Sequence, residues 1–346
     1  MSSTFASLNE VILPAELPPI MITCFTRPDL LKEVISAIKK QTLLPSKIIV
    51  FVDGARNEQD KILTNQCIEL FSELSNIIDI EIIARDKNLG CDLNVIDAFN
   101  YVFKKYSSVV YLEDDVVPNI YFYECICRLL EVYKNIKKVF SVNAYETGGS
   151  LITGSIKEDF FMSNRFFSWG FATWADRWHS LDMEKLKQSY NPFGKFYDIP
   201  LNQQTKLTMT NQFYLEKTDK TDWVITVTLA TLYLGYVHVI PKTSFVRNIG
   251  FGHPESETYR GKEAQWVNCG YDDSFNPDKV PVNADMIESL EKPLTEVEIA
   301  KFLTHKNFYI SINDAKQILQ KYQSWQFKII LLKLFLKQQF KRRFKK

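Results

Sequence analysis

Four short apolar segments alternate with segments of helical pattern over the first third of the chain. The apolar segments cover residues 19–25, 47–52, 80–84 and 108–112. Between them apolar residues recur at helical spacing, as at Leu31, Val34 and Ile38. Strands that alternate with helices through short connections predict a parallel α/β sheet with right-handed crossovers.

Polar residues follow each predicted strand at its carboxyl end. They are Thr26-Arg27, Asp53-Gly54, residues 85–90 and the acidic triplet Glu113-Asp114-Asp115. In open α/β sheets the ligand binds beyond the carboxyl ends of the strands. We therefore expect these residues to lie together around one ligand.

Two common nucleotide-binding classes are disfavoured. The first strand-to-helix turn lacks Gly-x-Gly-x-x-Gly, and the chain has no Walker loop. The net charge of +1 gives no reason to expect a nucleic-acid partner.

The acidic triplet suggests a metal site. Three adjacent carboxylates repel one another unless a cation compensates them. A hard divalent ion bound by carboxylate oxygens and substrate phosphates is the natural compensation. The alternative is an acidic turn or a helix N-terminus, where acidic residues are also favoured.

In order and spacing these pieces resemble the nucleotide-sugar domain of GT-A fold glycosyltransferases. The shared pattern is a strand followed by Asp53-Gly54, then Asn88-Leu89-Gly90, then an apolar strand ending in Glu113-Asp114-Asp115. The likeness is to the family-2-like enzymes and, in the Glu-Asp-Asp form, to the N-acetylglucosaminyltransferase I group. It runs from residue 19 to about residue 252, and it implies a Rossmann-like nucleotide-sugar-binding sheet flanked by helices.

The resemblance implies a role for each strand end. The implied donor-binding residues are Thr23, Phe25, Arg27, Asp53, Arg85, Asn88, Gly90, Glu113 and Asp114. Asp115 would bind Mn²⁺ or Mg²⁺. Taken alone, Asp53-Gly54 is equally a plain turn, and Arg27 is equally a solvated surface charge.

The second half of the chain supplies a candidate general base and a candidate sugar-binding loop. Asp222 begins an apolar helix, so it is either a first-turn acid or, as the resemblance implies, the base that deprotonates the acceptor hydroxyl in an inverting transfer. Trp169 and Gly170 lie in an aromatic block, residues 166–174, that either contacts the donor sugar and acceptor or packs in the core. His253 is either a second metal ligand or a histidine without a metal.

The C-terminal segment predicts a basic amphipathic helix from about residue 315 to about residue 341. Its apolar stripe comprises Trp325, Ile329, Leu332, Phe335 and Leu336. The stripe is flanked by lysines and arginines, and no acidic residue occurs from Lys328 to Lys346. Such a helix contacts an anionic membrane surface, or it packs on the domain with a solvated charged face.

We expect an N-terminal extension at 1–18, a GT-A catalytic domain at 19–285 and a basic helical segment at 286–346. The catalytic domain comprises a nucleotide-sugar half, 19–145, and an acceptor half, 146–285. The N-terminus lacks a signal-peptide pattern, and the six cysteines show no Cys-x-x-Cys spacing. The expected location is therefore cytoplasmic, peripheral on the inner face of the cell membrane.

The expected function is metal-dependent, inverting transfer of a hexosyl or N-acetylhexosaminyl group. The donor would be a nucleotide sugar, UDP-linked, and the acceptor a hydroxyl of a glycan or glycolipid in surface polysaccharide or lipopolysaccharide synthesis. A nucleotidyltransferase is an alternative, although its usual glycine-rich first loop is absent. A non-catalytic glycan- or membrane-binding module is another, although it would not need Asp115 and Asp222 together.

Overall fold

A computed structural model describes most of the chain. The described residues are 5–146, 158–181, 223–256, 261–264, 267, 268, 270–282, 297, 300, 301, 304, 310–321 and 324–343. The chain divides into two compact units, one formed by residues 1–181 and 235–287 and the other by 182–234 and 288–346. Residues 182–234 are thus grouped with the C-terminal segment, and the three-part division expected from the sequence stays a prediction.

The first unit contains twelve described strands. They are β1 (Phe5–Ser7), β2 (Ile20–Cys24), β3 (Lys47–Val52), β4 (Asp79–Ala84), β5 (Ser108–Glu113), β6 (Val116–Pro118), β7 (Val139–Asn143), β8 (Phe160–Ser163), β9 (Phe171–Trp174), β10 (Val237–Pro241), β11 (Val246–Asn248) and β12 (Lys279–Pro281).

Its described helices flank a central sheet. They are α1 (Pro28–Lys39), α2 (Glu58–Leu70), α3 (Gly90–Val102), α4 (Phe122–Tyr133) and α5 (Ala175–His179). Helix α1 begins at Pro28, where a proline costs no hydrogen bond. The side chain of Asn57 caps α2 by accepting the Asp60 N–H at 2.9 Å.

The central sheet has eight strands in the order β4-β3-β2-β5-β9-β7-β10-β8. Strands β4, β3, β2 and β5 are parallel, with Thr23 opposite both Phe51 and Glu113. The predicted parallel sheet is therefore confirmed for the first four strands. Every residue of β2 is buried, which explains its continuous apolar sequence.

The other half of the sheet is mixed. Strand β9 runs antiparallel to both β5 and β7, and β10 runs parallel to β7 but antiparallel to β8. The aromatic block therefore contributes a strand to the middle of the sheet. Phe166, Phe171 and His238 lie close together here, with the Phe166 ring centroid 4.9 Å from that of Phe171 and 5.4 Å from that of His238.

Two short strand pairs lie outside the central sheet. Strand β1 pairs with β12, so the expected N-terminal extension contains a strand. Strand β6 pairs antiparallel with β11, with Val116 opposite Asn248. This second pair joins the residues just after the acidic triplet to a segment more than 100 positions later in the chain.

The second unit includes the helices α6 (Trp223–Tyr233), α7 (Ile312–Lys321) and α8 (Trp325–Arg343). The predicted C-terminal helix is confirmed, but its predicted extent, one helix from about residue 315 to about residue 341, is wrong because α7 and α8 are separate helices. The Ser324 hydroxyl accepts the Phe327 N–H at 3.3 Å, which satisfies a free donor at the start of α8. No described helix is both long and apolar enough to cross a membrane.

Candidate active site

A pocket of about 200 Å³ opens at the carboxyl ends of β2, β3 and β5. Its wall includes many of the residues that were selected from the sequence: Thr23, Phe25, Arg27, Asp53, Asn88, Gly90, Glu113, Asp114, Asp115 and Trp169. Parallel strands end at the same edge of the sheet, so residues from distant positions meet there. The polar strand ends thus form one wall, as the topology requires.

Asp53 organises the wall contributed by β3. Its Oδ1 accepts the N–H groups of Gly54 and Leu89, both at 2.8 Å. Its Oδ2 accepts the Gly90 N–H at 2.9 Å and the Asn88 side-chain amide at 3.0 Å. The carboxylate is buried and has four donors within the protein, so it holds the 88–90 turn in place.

Arg27 forms an ion cluster with two residues of the acidic triplet, Asp114 and Asp115, in the pocket wall. The guanidinium pairs with the buried carboxylate of Asp114 through Nε, at 3.2 Å, and through Nη2. It also donates to Asp115 Oδ2 at 2.8 Å. Arg27 is thus a half-buried ion-pair partner and not the solvated surface charge that its sequence context allowed.

Burial and charge oppose each other in this cluster. Burial raises the pKa of Asp114 above its ordinary value, while the Arg27 guanidinium acts to lower it and the Asp115 carboxylate acts to raise it. Burial alone would lower the pKa of Arg27, but the Asp114 and Asp115 carboxylates outweigh it and raise that pKa. Arg27 therefore remains a cation at the pocket wall.

Asp115 is held from its other side by Asn248 at the end of β11. The Asn248 amide donates to Asp115 Oδ1 at 3.3 Å, and its own Oδ1 accepts the Gly250 N–H at 2.9 Å. Asn268 fixes Asn248 in turn, through hydrogen bonds of 2.9 and 3.1 Å to the Asn248 backbone. Asn248 was not predicted from the sequence, because nothing near it in the chain connects it to the triplet.

Gly250 completes this support. A Cβ atom at Gly250 would lie 2.1 Å from Asp115 Oδ2, so a larger residue would displace the carboxylate. Ile249 also donates its N–H to the Asp115 carbonyl at 2.9 Å. The segment after β11 therefore positions Asp115 through both backbone and side-chain contacts.

Trp169 and Gly170 have different surroundings. The Trp169 ring lies in the pocket wall and packs edge-on against Tyr145, with centroids 4.5 Å apart. Gly170 has φ +65°, and a Cβ there would meet Val246 Cγ1 at 2.9 Å. Backbone conformation and packing thus explain the glycine without any contact to a ligand.

Residues 20–200, more than half of the 346-residue chain, match the family described as Glycosyl transferase family 2. The chain belongs to glycosyl transferase family 2. The predicted GT-A class and the prediction of a nucleotide-sugar glycosyltransferase are confirmed at this level. No curated protein matches the sequence.

Several solved structures resemble this glycosyltransferase distantly. S. aureus TarS 1-349 has a TM-score of 0.37 and 8% identity, over 66% of this chain and 59% of that one. Mannosyltransferase PcManGT from Pyrobaculum calidifontis, in complex with GDP-Man and Mn²⁺, has a TM-score of 0.37 and 11% identity, over 65% and 73%. Glucosyl-3-phosphoglycerate synthase from Mycobacterium tuberculosis, in complex with Mn²⁺, uridine-diphosphate and glucosyl-3-phosphoglycerate, has a TM-score of 0.28 and 10% identity, over 47% and 58%.

The fold class of this glycosyltransferase implies a divalent metal ion. The question is whether the carboxylates of the acidic triplet suit such an ion. Carboxylate oxygens suit Mg²⁺ and Mn²⁺, and the carboxylates of Asp114 and Asp115 both line the pocket. Within the residues that the structure describes, no three His, Cys, Asp or Glu side chains are grouped to hold a metal ion. The pocket-lining carboxylates of Asp114 and Asp115 fit such a cation and are the residues that would hold it.

Besides Gly170, three further selected residues lie away from this wall or among the residues that the structure does not describe. Arg85 contacts α3, through Asn94 at 3.1 Å and Asp97 at 2.6 Å, and borders a neighbouring surface depression.

His253 accepts the Glu255 N–H on Nδ1 at 3.1 Å, so its Nε2 carries the proton shared with Asp29. A metal-ligand role for His253, which stays a prediction, would require one of these bonds to break. Asp222 lies outside the described residues.

Proposed function

We propose that the protein transfers a sugar from a UDP-linked donor to a hydroxyl of a glycan or lipid-linked acceptor, with Mn²⁺ or Mg²⁺ and with inversion. The observation that carries the proposal is the buried carboxylate pair, Asp114 and Asp115, in the wall of the strand-end pocket. Family membership supports the reaction class. The buried carboxylates support a donor bound through a cation and a diphosphate.

The leaving group of such a transfer is a nucleoside diphosphate, which develops negative charge as the sugar departs. Asp115, with Asp114 beside it, would hold the divalent ion, whose charge would stabilise that leaving group. Arg27 supplies a second positive charge at the same wall. Once the cation binds the carboxylates, the guanidinium would be free to pair with a phosphate oxygen.

Acceptor activation requires a base, since the attacking hydroxyl must lose a proton. We propose Asp222 for this role, for which a positioned carboxylate contributes about 10²–10⁴-fold in rate. We further propose that Trp169, which is 7% exposed and lines the pocket, contacts the sugar with the edge of its ring that faces the pocket. Asp53 would contribute by holding the 88–90 turn against which the nucleotide lies.

The narrower proposals concern specificity and location. A hexosyl or N-acetylhexosaminyl group, and the likeness to the N-acetylglucosaminyltransferase I group, follow only from the Glu-Asp-Asp form of the triplet. Lipopolysaccharide or surface polysaccharide as the product, and the cytoplasmic face of the membrane as the location, rest on the basic C-terminal segment. A membrane location would bring the enzyme to a lipid-linked acceptor.

A nucleotide-release assay tests the proposal. Purified protein would be incubated with Mn²⁺ and a panel of UDP-sugars and GDP-mannose, and the released nucleotide measured for the wild type, Asp115→Asn, Asp222→Asn and the exposed control Asp86→Asn. We expect release from UDP-sugars that Asp115→Asn reduces at least about 100-fold. Asp222→Asn should reduce turnover but keep UDP binding. Release that is equal in wild type and Asp115→Asn, or that occurs only with GDP-mannose, would contradict the proposal.

A further inference from the structure

Helix α8 presents two separate apolar faces. One face is buried: Phe327, Leu331 and Leu334 are at most 3% exposed. These positions recur at intervals of four and three, as the packed stripe of a helix does. Gln338, on the same face, accepts the Ile310 N–H at 3.2 Å and so fixes the rotation of the helix about its axis.

The opposite face carries a second apolar stripe, and this one is exposed. Trp325 is 75% exposed, Ile329 47%, Leu336 52% and Phe340 61%. Their spacing of four, seven and four residues keeps them on one line along the helix. At 1.5 Å per residue the line is about 22 Å long. It includes three members of the stripe predicted from the sequence. The predicted members Leu332 and Phe335 are half-buried instead, and Phe340 extends the exposed stripe.

Positive charge borders the exposed stripe. Lys328, Lys333 and Lys337 lie beside it on the described part of the helix, and the Lys328 ammonium lies 5.5 Å from the centre of the Trp325 ring. From Ser324 to Lys346 the chain contains lysines and arginines but no aspartate or glutamate. An occupant of this face must therefore offer both negative charge and an apolar layer.

We infer that the exposed stripe of α8 docks on an anionic lipid bilayer, with its apolar side chains among the upper acyl chains and its lysines at the headgroups. A second copy of the chain would bring its own lysines against these lysines, and like charges repel. An anionic bilayer instead presents negative headgroups directly above an apolar layer, and tryptophan is favoured at that boundary. No described helix is long and apolar enough to span a bilayer, so α8 would lie in the surface plane.

This inference adds an interaction surface to the proposed transferase, and it rests on α8 alone, so its failure would leave the proposed chemistry intact. It is tested by co-sedimentation of the full-length protein with vesicles of phosphatidylcholine alone or with about 30% phosphatidylglycerol. We expect binding to the mixed vesicles and little to the neutral ones. Binding should weaken as salt rises from about 50 to 500 mM, because surface charges are screened.

Matched double variants separate the contribution of the apolar stripe to vesicle binding from the contribution of the lysines. Ile329→Gln/Leu336→Gln should reduce vesicle affinity at least about tenfold. Lys333→Gln/Lys337→Gln should reduce it about 25-fold, at about fivefold per lysine near an anionic surface. Ile62→Gln/Ile77→Gln, which replaces exposed isoleucines elsewhere, should bind like the wild type. All three alter exposed side chains, and circular dichroism and thermal melting would verify that each variant folds.

Three outcomes would overturn the inference. The first is equal binding to neutral and anionic vesicles, and the second is equal binding by the stripe variant and the wild type. The third is a wild-type protein that does not bind vesicles but forms a dimer in analytical ultracentrifugation, which Ile329→Gln/Leu336→Gln dissociates. That result would assign the stripe to a second copy of the chain.

Discussion

The contacts of Asp53 make a strong prediction about stability. The carboxylate uses both oxygens to hold Gly54, Asn88, Leu89 and Gly90. Asp53→Asn keeps the shape of the side chain but replaces one acceptor oxygen with an amide donor. Whichever way the new amide is oriented, two of these four donors would face the amide NH₂ group and lose their hydrogen-bond acceptor.

The size of the effect follows from these contacts. If the amide replaces Oδ2, the Gly90 N–H loses a hydrogen bond to a charged group, worth about 1.5–3 kcal/mol. The exposed Asn88 side chain can turn to water, so its loss adds only about 0.5–1 kcal/mol. We expect the free energy of unfolding to fall by about 2–4 kcal/mol. For a domain of this size that lowers the melting temperature by about 5–15 °C.

Urea unfolding at neutral pH, followed by circular dichroism, measures this change. The matched control is Asp86→Asn, which alters an exposed acid near the same strand end and should stay within about 0.5 kcal/mol of the wild type. If Asp53 instead contacts only the nucleotide, Asp53→Asn would weaken UDP binding and leave the free energy of unfolding unchanged. That result would refute the structural role of the carboxylate in holding the 88–90 turn.

Three further variants probe the support of Asp115. Gly250→Ala places a methyl group against the carboxylate and should weaken binding of UDP with Mn²⁺ at least about tenfold by calorimetry, whereas Gly261→Ala, which meets nothing within 4 Å, should not. Asn248→Ala removes the amide that donates to Asp115. It should lower the free energy of unfolding by about 1–3 kcal/mol and also weaken binding of UDP with Mn²⁺. If both quantities are unchanged, Asn248 does not position Asp115. Arg27→Met leaves buried carboxylates without their cation and should destabilise the protein by about 3–5 kcal/mol. Mn²⁺ with UDP should recover part of that loss in a thermal-shift assay, and a failure to do so would separate Arg27 from the metal site.

Three strands of the parallel half, β2, β3 and β5, could be predicted from the sequence because they are buried on both faces. Ile20–Cys24 and Lys47–Val52 are almost entirely apolar for that reason. Their carboxyl ends then located the pocket, since the topology places all of them at one edge. Local sequence and one general rule of topology were enough for this part of the site.

The remaining features depend on contacts between distant segments. Asn248 reaches Asp115 only because β11 pairs with β6, and no local periodicity indicates that pairing. Strand β9 lies in an aromatic block whose composition fits core packing as well as a ligand-contacting loop. The break between α7 and α8 was missed because the apolar spacing continues through Ser324, and only its capping hydrogen bond marks a new helix.

Anomalous diffraction from a crystal soaked with Mn²⁺ and UDP would test most directly whether Asp115 holds a cation that binds the donor diphosphate. We predict a manganese peak about 2.0–2.3 Å from a carboxylate oxygen of Asp115, with the diphosphate as a further ligand and Arg27 turned towards a phosphate. A manganese peak elsewhere, or bound UDP with Asp115 still paired to Arg27 and Asn248, would contradict that role.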